Sequence, residues 1–451
     1  MLSRPGITRR GLIRAGAATV GTLALRPFGL LPAMAQSSAN YRALVCVFLF
    51  GGNDSNNTVI PMDDASLQAY TSIRGSLALS ASELTPTVYS VSNAPFAFHG
   101  KLAEVASLFS SKELAVVANT GSLVQPLTKS QYQGALAPVP LNLFSHSDQQ
   151  LQWQTSIAQG NSPTGWAGRV ADYLASQKIN SGNFPAFLSV EGNSLEGQGV
   201  TTQPVAIAPG ESLTLKGFSN ASSQARLHSL TTLLTSDNGL SLAQATNNTM
   251  ANSISDAAAL EAALAKSAPL KTQFPATSLG SQLQQVAQII QVQSYLGMSR
   301  QIFFCSLGGF DTHAGELETH NNLYPQLSQA LAAFYAATQE LAMADNVTTF
   351  TESDFSRTFQ PTTTDGSDHA WGSHHMVLGG AVQGGEIYGQ FPTFELAGPN
   401  DTDTRGRWIP TTSIDQYGAT LCSWFGIPDS ALATVFPNFA NFGSQKLGFL
   451  G

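Results

Sequence analysis

Cysteine is scarce in this chain. Three occur in 451 residues, at Cys46, Cys305 and Cys422. An odd count of three excludes a multi-bridge disulfide framework, and no CxxC pair offers a thiolate metal site. Each sits in an apolar run, such as Leu44-Val45-Cys46-Val47-Phe48. That context predicts buried free thiols, with one disulfide left open as an alternative in an oxidising compartment. Charge is scarce as well, at 11% of residues, and Asp plus Glu (29) outnumber Lys plus Arg (21) for a net charge of −8 and a pI near 5.4. No basic stripe is present, which excludes a nucleic-acid binder of the usual electrostatic kind. Long apolar runs are missing too. The segment from 15 to 31 is broken by Gly16, Gly21, Arg26, Pro27 and Gly29, which excludes a stable membrane-spanning helix there. Neither a repeat nor a long charge run appears.

What remains is the composition of a folded α/β protein. Hydrophobic residues make up 43% of the chain, and 451 residues suffice for one large domain with insertions. The first 35 residues read as a twin-arginine signal peptide. Thr8-Arg9-Arg10-Gly11-Leu12-Ile13 gives the paired arginines, and Ala33-Met34-Ala35 gives a small-x-small cleavage site before Gln36. An N-terminal anchor or basic tail is the plainer alternative. No cysteine follows the cleavage site, which argues against lipoprotein anchoring. Twin-arginine export carries folded proteins, often already holding a cofactor. The expected partner is therefore that export machinery, and the expected location is the bacterial periplasm or beyond.

Short runs that are apolar on both faces predict strands at 43–50, 114–118, 184–190, 301–307, 347–351 and 376–378. This pattern suits the central parallel strands of a sheet covered on both sides. Helices are predicted at 101–110, 166–178, 257–265, 279–296, 324–344 and 414–425. Alternation of strand and helix implies an α/β fold, a doubly wound and mostly parallel sheet flanked by helices. Residues 36–451 read as one domain. Residues 191–256, rich in Ser, Thr, Asn and Gln with weak periodicity, read as an insertion or cap.

One regularity in position carries the functional reading. Asp54, Asp311 and Asp354 each follow the carboxyl end of a predicted strand, the edge where open α/β sheets bind ligands. They converge if the strands are neighbours. Gly51-Gly52-Asn53-Asp54 is a tight turn; Asp54 is either a carboxylate ligand or an Asx cap. Ser145-His146-Ser147-Asp148 opens a helix, so Ser145 or Ser147 is either a plain N-cap or a hydroxyl nucleophile assisted by the helix dipole and a nearby cation. His146 is a ligand or a partner to one. Gly309-Phe310-Asp311-Thr312-His313 places a carboxylate and an imidazole two apart on extended chain, able to chelate one ion. His320 is placed on a helix surface. Arg357, after Glu352-Ser353-Asp354, either clamps an oxyanion or pairs with Asp354. His369 precedes the sixth strand and His374-His375 lies at its start, where one of the last two must point away from the other if the segment is extended.

The order of these motifs resembles the alkaline-phosphatase and sulfatase superfamily. It looks more closely like an exported bacterial family, domain-of-unknown-function family fifteen-oh-one. The resemblance rests on Gly51-Gly52-Asn53-Asp54, Ser145-His146, Gly309-Phe310-Asp311-Thr312-His313, Ser353-Asp354-Phe355-Ser356-Arg357-Thr358, and Asp368-His369 with Gly379-Gly380, and spans most of residues 41–427. It implies an alkaline-phosphatase-like core and a two-metal site built from Asp54, Asp311, His313, Asp354 and His369. His375 or Asp368 would compensate where the pattern departs. The departures are Phe355, where phosphatases follow the late aspartate with a histidine, and the short Asp311-to-His313 spacing. The chain also has no sulfatase-type Cys/Ser-x-Pro-x-Arg motif. The implied activity is hydrolysis of phosphate or sulfate esters, with Ser145 as nucleophile, Arg357 stabilising the transition state, and divalent ions (Zn²⁺, Mg²⁺, Mn²⁺ or Ca²⁺) as cofactors. The substrate would be a small-molecule or glycan ester. Rival readings are a degenerate metal- or carbohydrate-binding assembly protein, or a structural surface protein without metal.

Overall fold

A computed structural model of the protein describes residues 40–211, 217–218, 220–235 and 241–451. The expected signal peptide, and part of the expected insertion, lie outside the described residues. Residues 42–451 form one compact unit.

Twelve strands are present among the described residues: β1 (Arg42–Phe50), β2 (Val59–Pro61), β3 (Val88–Tyr89), β4 (Pro95–Phe98), β5 (Leu114–Gly121), β6 (Phe187–Ser189), β7 (Val205–Ala206), β8 (Arg300–Gly308), β9 (Val347–Ser353), β10 (Ser373–Leu378), β11 (Ile387–Gly389) and β12 (Thr412–Ser413). Nine of them build the main sheet in the order β11-β5-β10-β9-β1-β8-β6-β7, with β12 also pairing β5. β2, β4 and β3 form a small antiparallel sheet. The main sheet is parallel except at β10, which runs antiparallel to both β9 and β5. This corrects the expectation of a parallel sixth strand, since an apolar run carries no information about strand direction.

β1 is the central strand because nearly all of Arg-Ala-Leu-Val-Cys-Val-Phe-Leu-Phe is apolar, and all but its two end residues are buried. Its even-numbered residues Leu44, Cys46 and Phe48 join Trp153, Trp166, Phe350 and Tyr417 in one core cluster. The helices Trp166–Ser176, Ile414–Phe425 and Asp429–Val435 supply that cluster's outer layer. Each large side chain buried there contributes about 1.5–3 kcal/mol. Ala43, Val45, Val47 and Leu49 face the other way and are equally buried. The helices Ala103–Ser110, Ser278–Gln291 and Glu316–Glu340 pack on one another and on β5 and β8. The three cysteines are free and buried.

The region expected to be an irregular insertion contains two helices, Ala221–Leu234 and Ser241–Leu264, and the edge strand β7. Their polar, Ser- and Asn-rich faces blurred the periodicity on which a helix prediction depends. Among the described residues, no helix is long and apolar enough to cross a membrane.

Register decides where the site falls. β1 pairs in parallel with β8, Phe50 opposite Gly308, and with β9, Leu49 opposite Ser353. The carboxyl ends of β8, β1 and β9 therefore lie side by side, and the chain segments leaving them carry Asp311, Asp54 and Asp354.

Candidate metal centre

Gly51 and Gly52 make the approach of these segments possible. Both have positive φ, 112° and 81°; a Cβ on Gly51 would lie 2.4 Å from the Asp311 nitrogen, and one on Gly52 2.4 Å from the Phe355 ring. Only glycine fits at either position.

Four groups converge at this edge. His146 opens the helix His146–Thr155, His313 follows Asp311 after β8, and His369 lies in the loop before β10. Around Asp311 Oδ1, His313 Nε2 stands at 3.0 Å, and His146 Nε2 and His369 Nε2 each at 3.4 Å. His369 Nε2 lies 3.1 Å from His146 Nε2 and 3.0 Å from His313 Nε2.

The other ring nitrogens fix the tautomers. His146 Nδ1 faces Asp354 Oδ2 at 2.7 Å, His369 Nδ1 faces the Phe144 carbonyl at 2.7 Å, and His313 Nδ1 faces Asp368 Oδ1 at 3.3 Å. For His146 and His369 the partner is a close acceptor, so Nδ1 carries the proton and Nε2 is free to present a lone pair, whereas His313 meets a carboxylate oxygen on both sides, Asp368 Oδ1 at 3.3 Å and Asp311 Oδ1 at 3.0 Å. The ligand atoms of His146, Asp311 and His369 all lie within 4.8 Å of one another, and His313 Nε2 stands beside that triad, 3.0 Å from Asp311 Oδ1 and from His369 Nε2. Converging lone pairs and a carboxylate oxygen repel one another unless a cation lies among them. Ligands of a tetrahedral ion with bonds of about 2.0–2.1 Å stand roughly 3.3 Å apart. The His146–Asp311–His369 triad and the Nδ1 acceptors behind its rings thus fit a divalent metal, with His313 at the rim of the group.

The supports are built in. Asp354 is fully buried; its Oδ1 accepts from Gly51 N (3.2 Å), and its Oδ2 accepts also from Gln150 Nε2 (2.8 Å). Gln150 is one helical turn after His146, on the same face. Phe144 has φ 71°, a region bulky residues rarely adopt, and from there its carbonyl meets His369. The Phe355 ring stacks on His369 and packs on His146, centroids 4.8 Å from each. Arg357 is fully buried, donating to Asp311 Oδ1 (2.9 Å), the Gly51 carbonyl (3.3 Å), and both the hydroxyl and carbonyl of Ser367. Burial pushes the Asp311 carboxyl up, but its bond to Arg357 and that residue's charge outweigh it and hold the group below its ordinary value. The bond to Asp354 raises His146, whereas burial lowers His369.

Not every residue singled out in the sequence joins this cluster. Asp54 is fully buried behind it. Its Oδ1 accepts from the backbone and side-chain nitrogens of Asn56 (3.2 and 2.9 Å), which is the Asx-cap reading, and its Oδ2 pairs with Arg74. Asp354 supports His146. His375 lies within β10, 1% exposed, its ring 4.6 Å from that of Trp153. Antiparallel pairing brings the start of β10 toward the carboxyl edge, but the His375 ring faces the core, on Trp153 and Tyr417, and so stays out of the cluster. His374 is likewise buried and accepts from Asn119 N (2.9 Å). His320, expected on a surface, is fully buried. Ser145 is the N-cap of its helix, though its hydroxyl makes no capping bond; it donates to Asp148 Oδ2 at 2.5 Å and meets Ser147 Oγ at 3.1 Å. Arg357 meets Asp311 rather than Asp354.

The residues that sequence reasoning missed are Gln150, Arg74, Glu316 and the Phe144 carbonyl. The i, i+4 spacing of His146 and Gln150 was the one available signal.

Sheet and centre together define an α/β protein with residue groups able to hold a metal ion. The chain belongs to the family described as "Protein of unknown function (DUF1501)", which matches residues 41–404. Solved structures that align with it include Ps i-CgsB, at 7% identity and a TM-score of 0.36, covering 88% of this chain and 77% of that one. Another is the zinc complex of the C-terminal periplasmic domain of EcEptC from Escherichia coli, at 10% identity and a TM-score of 0.27, covering 75% and 72%. A third is the phosphonate monoester hydrolase of Agrobacterium radiobacter, at 9% identity and a TM-score of 0.30, covering 86% and 74%. Among curated proteins, none matches the chain.

Proposed function

We propose that this protein is an exported, metal-dependent hydrolase of phosphate or sulfate esters. The observation that carries the reading is the convergence of three histidine Nε2 atoms on Asp311 Oδ1, each ring held from behind by an oxygen acceptor. His146, Asp311, His313 and His369 would hold the ion. Three imidazoles and one carboxylate favour a borderline cation such as Zn²⁺ over Mg²⁺ or Ca²⁺. Such an ion supplies Lewis acidity toward an ester oxygen.

The chain's own residues do the rest. Asp354 holds the proton of His146 at Nδ1, and Arg357 holds Asp311 in place. Ser145, adjacent to His146, is the proposed nucleophile, with Asp148 Oδ2 placed to take its proton. The paired arginines at Arg9-Arg10 support twin-arginine export to the periplasm or beyond. The low charge and the Ser- and Asn-rich segment 191–256 support a sugar phosphate or sulfated glycan as substrate.

Turnover of p-nitrophenyl phosphate and sulfate tests the reading. Hydrolysis is expected to vanish on chelation and return with added Zn²⁺. Ser145→Ala is expected to abolish turnover while leaving metal content unchanged, and retained turnover removes the nucleophile assignment. A second reading, binding without turnover, is favoured by the Ser145 hydroxyl's engagement with Asp148 and Ser147 rather than with the cluster. It expects metal in the protein and no hydrolysis of either ester.

A further inference from the structure

Behind the histidines lies a second ionisable cluster, Asp54, Glu316 and His320, whose ligand atoms lie within 4.8 Å of one another. It resembles a metal site in composition, and all three residues are fully buried. Among the described residues, neither ring nitrogen of His320 has a hydrogen-bond partner. The pocket already holds a cation, however. Arg74, also fully buried, comes in from the helix Asp64–Arg74 and places its Nη2 on Asp54 Oδ2 and 3.3 Å from Glu316 Oε1. Its Nη1 donates to the carbonyls of Thr358 (3.1 Å) and Phe359 (3.2 Å), which fixes the guanidinium from the other side.

We infer that the centre takes a single metal ion, and that Arg74 is the built-in cation of the Asp54–Glu316 pocket where a second ion would otherwise sit. The inference rests on the metal reading of the histidine cluster. Three arguments carry it. The carboxylate oxygens are spent, because Asp54 Oδ1 takes both Asn56 donors and Glu316 Oε2 takes the Thr312 hydroxyl (2.9 Å) and that of Ser367. A divalent ion beside a buried guanidinium would set three positive charges against two carboxylates where no water screens them. Asp354, the other fully buried aspartate at this edge, has both oxygens committed to Gly51, His146 and Gln150.

The test is metal stoichiometry, read by elemental mass spectrometry on full-length protein loaded with excess Zn²⁺ and then desalted. Wild type is expected to retain one equivalent. Asp54→Asn, nearly isosteric, is expected to retain the same one equivalent. Arg74→Ala frees Asp54, Glu316 and His320 and is expected to raise the count to two, with the second equivalent lost again in Arg74→Ala/His320→Ala. Two equivalents in wild type, or a lower count in Asp54→Asn, would overturn the inference while leaving the histidine centre standing. Zero in wild type would overturn both. Should Arg74→Ala fail to fold, the wild-type and Asp54→Asn counts decide alone.

Discussion

Two ionisable clusters lie close in this fold, and they solve the same electrostatic problem in opposite ways. The Asp54–Arg74–Glu316 cluster is sealed, its ion pairs fully buried, and the protein supplies the positive charge itself. The histidine cluster is partly open, with His313 and Asp311 about half exposed, and the oxygens behind His146 and His369 leave the Nε2 atoms of those rings facing Asp311 Oδ1. A closed cluster with its own counter-charge is architecture. An open one whose ring lone pairs converge beside a carboxylate that Arg357 holds from one side is a place for a ligand.

The comparison breaks most sharply at His369. His369→Ala removes the Nε2 nearest both other histidines and is expected to abolish stoichiometric Zn²⁺ binding, read by elemental mass spectrometry, with little loss of fold. The same change at the buried His320 in wild type is expected to leave metal untouched. Asp354→Asn acts at one remove. It weakens the acceptor behind His146 and is expected to lower metal affinity about 10–100-fold, measured by chelator competition. An unchanged affinity would make Asp354 a purely structural residue. The smallest effect is on stability at a third kind of site, a buried carboxyl with no salt bridge among the described residues. Burial pushes Asp415 from its ordinary 3.8 up to about 7, against the pull of the Asn438 N–H. The folded state therefore holds a proton that the unfolded chain releases between about 4 and 7, so this group's contribution to stability falls as pH rises through that window. Asp415→Asn is expected to flatten that slope in chemical denaturation between pH 4 and 7. A slope unchanged by the substitution would mean that Asp415 is ionised in the fold.

The same contrast explains what the sequence disclosed. The strands β1, β8 and β9 were legible because they are apolar on both faces, and their ends carried the aspartates that the register aligns. The Asp311–His313 pair was legible because two residues on extended chain face one way, and they meet at 3.0 Å. The direction of β10 was not, since hydrophobicity is the same read either way. His374 and His375 do lie at the start of β10, and their burial in the core, rather than their place along the strand, keeps them from the cluster. Arg74 was invisible for a different reason. It ends a short helix, and its partner Glu316 lies 242 residues along the chain. Nothing local marks an arginine whose role is set by tertiary packing. Asp54 was open to both readings, and the Asx cap and ion pair both come from contacts that the Gly51-Gly52 turn makes possible.

The most direct measurement is anomalous X-ray scattering at the zinc edge from crystals of Zn²⁺-loaded protein. One peak is expected, bounded by the Nε2 atoms of His146, His313 and His369 and by Asp311. No peak among those atoms, or a peak beside Asp54 instead, would contradict the assignment of the open cluster as the metal centre and of the closed one as architecture.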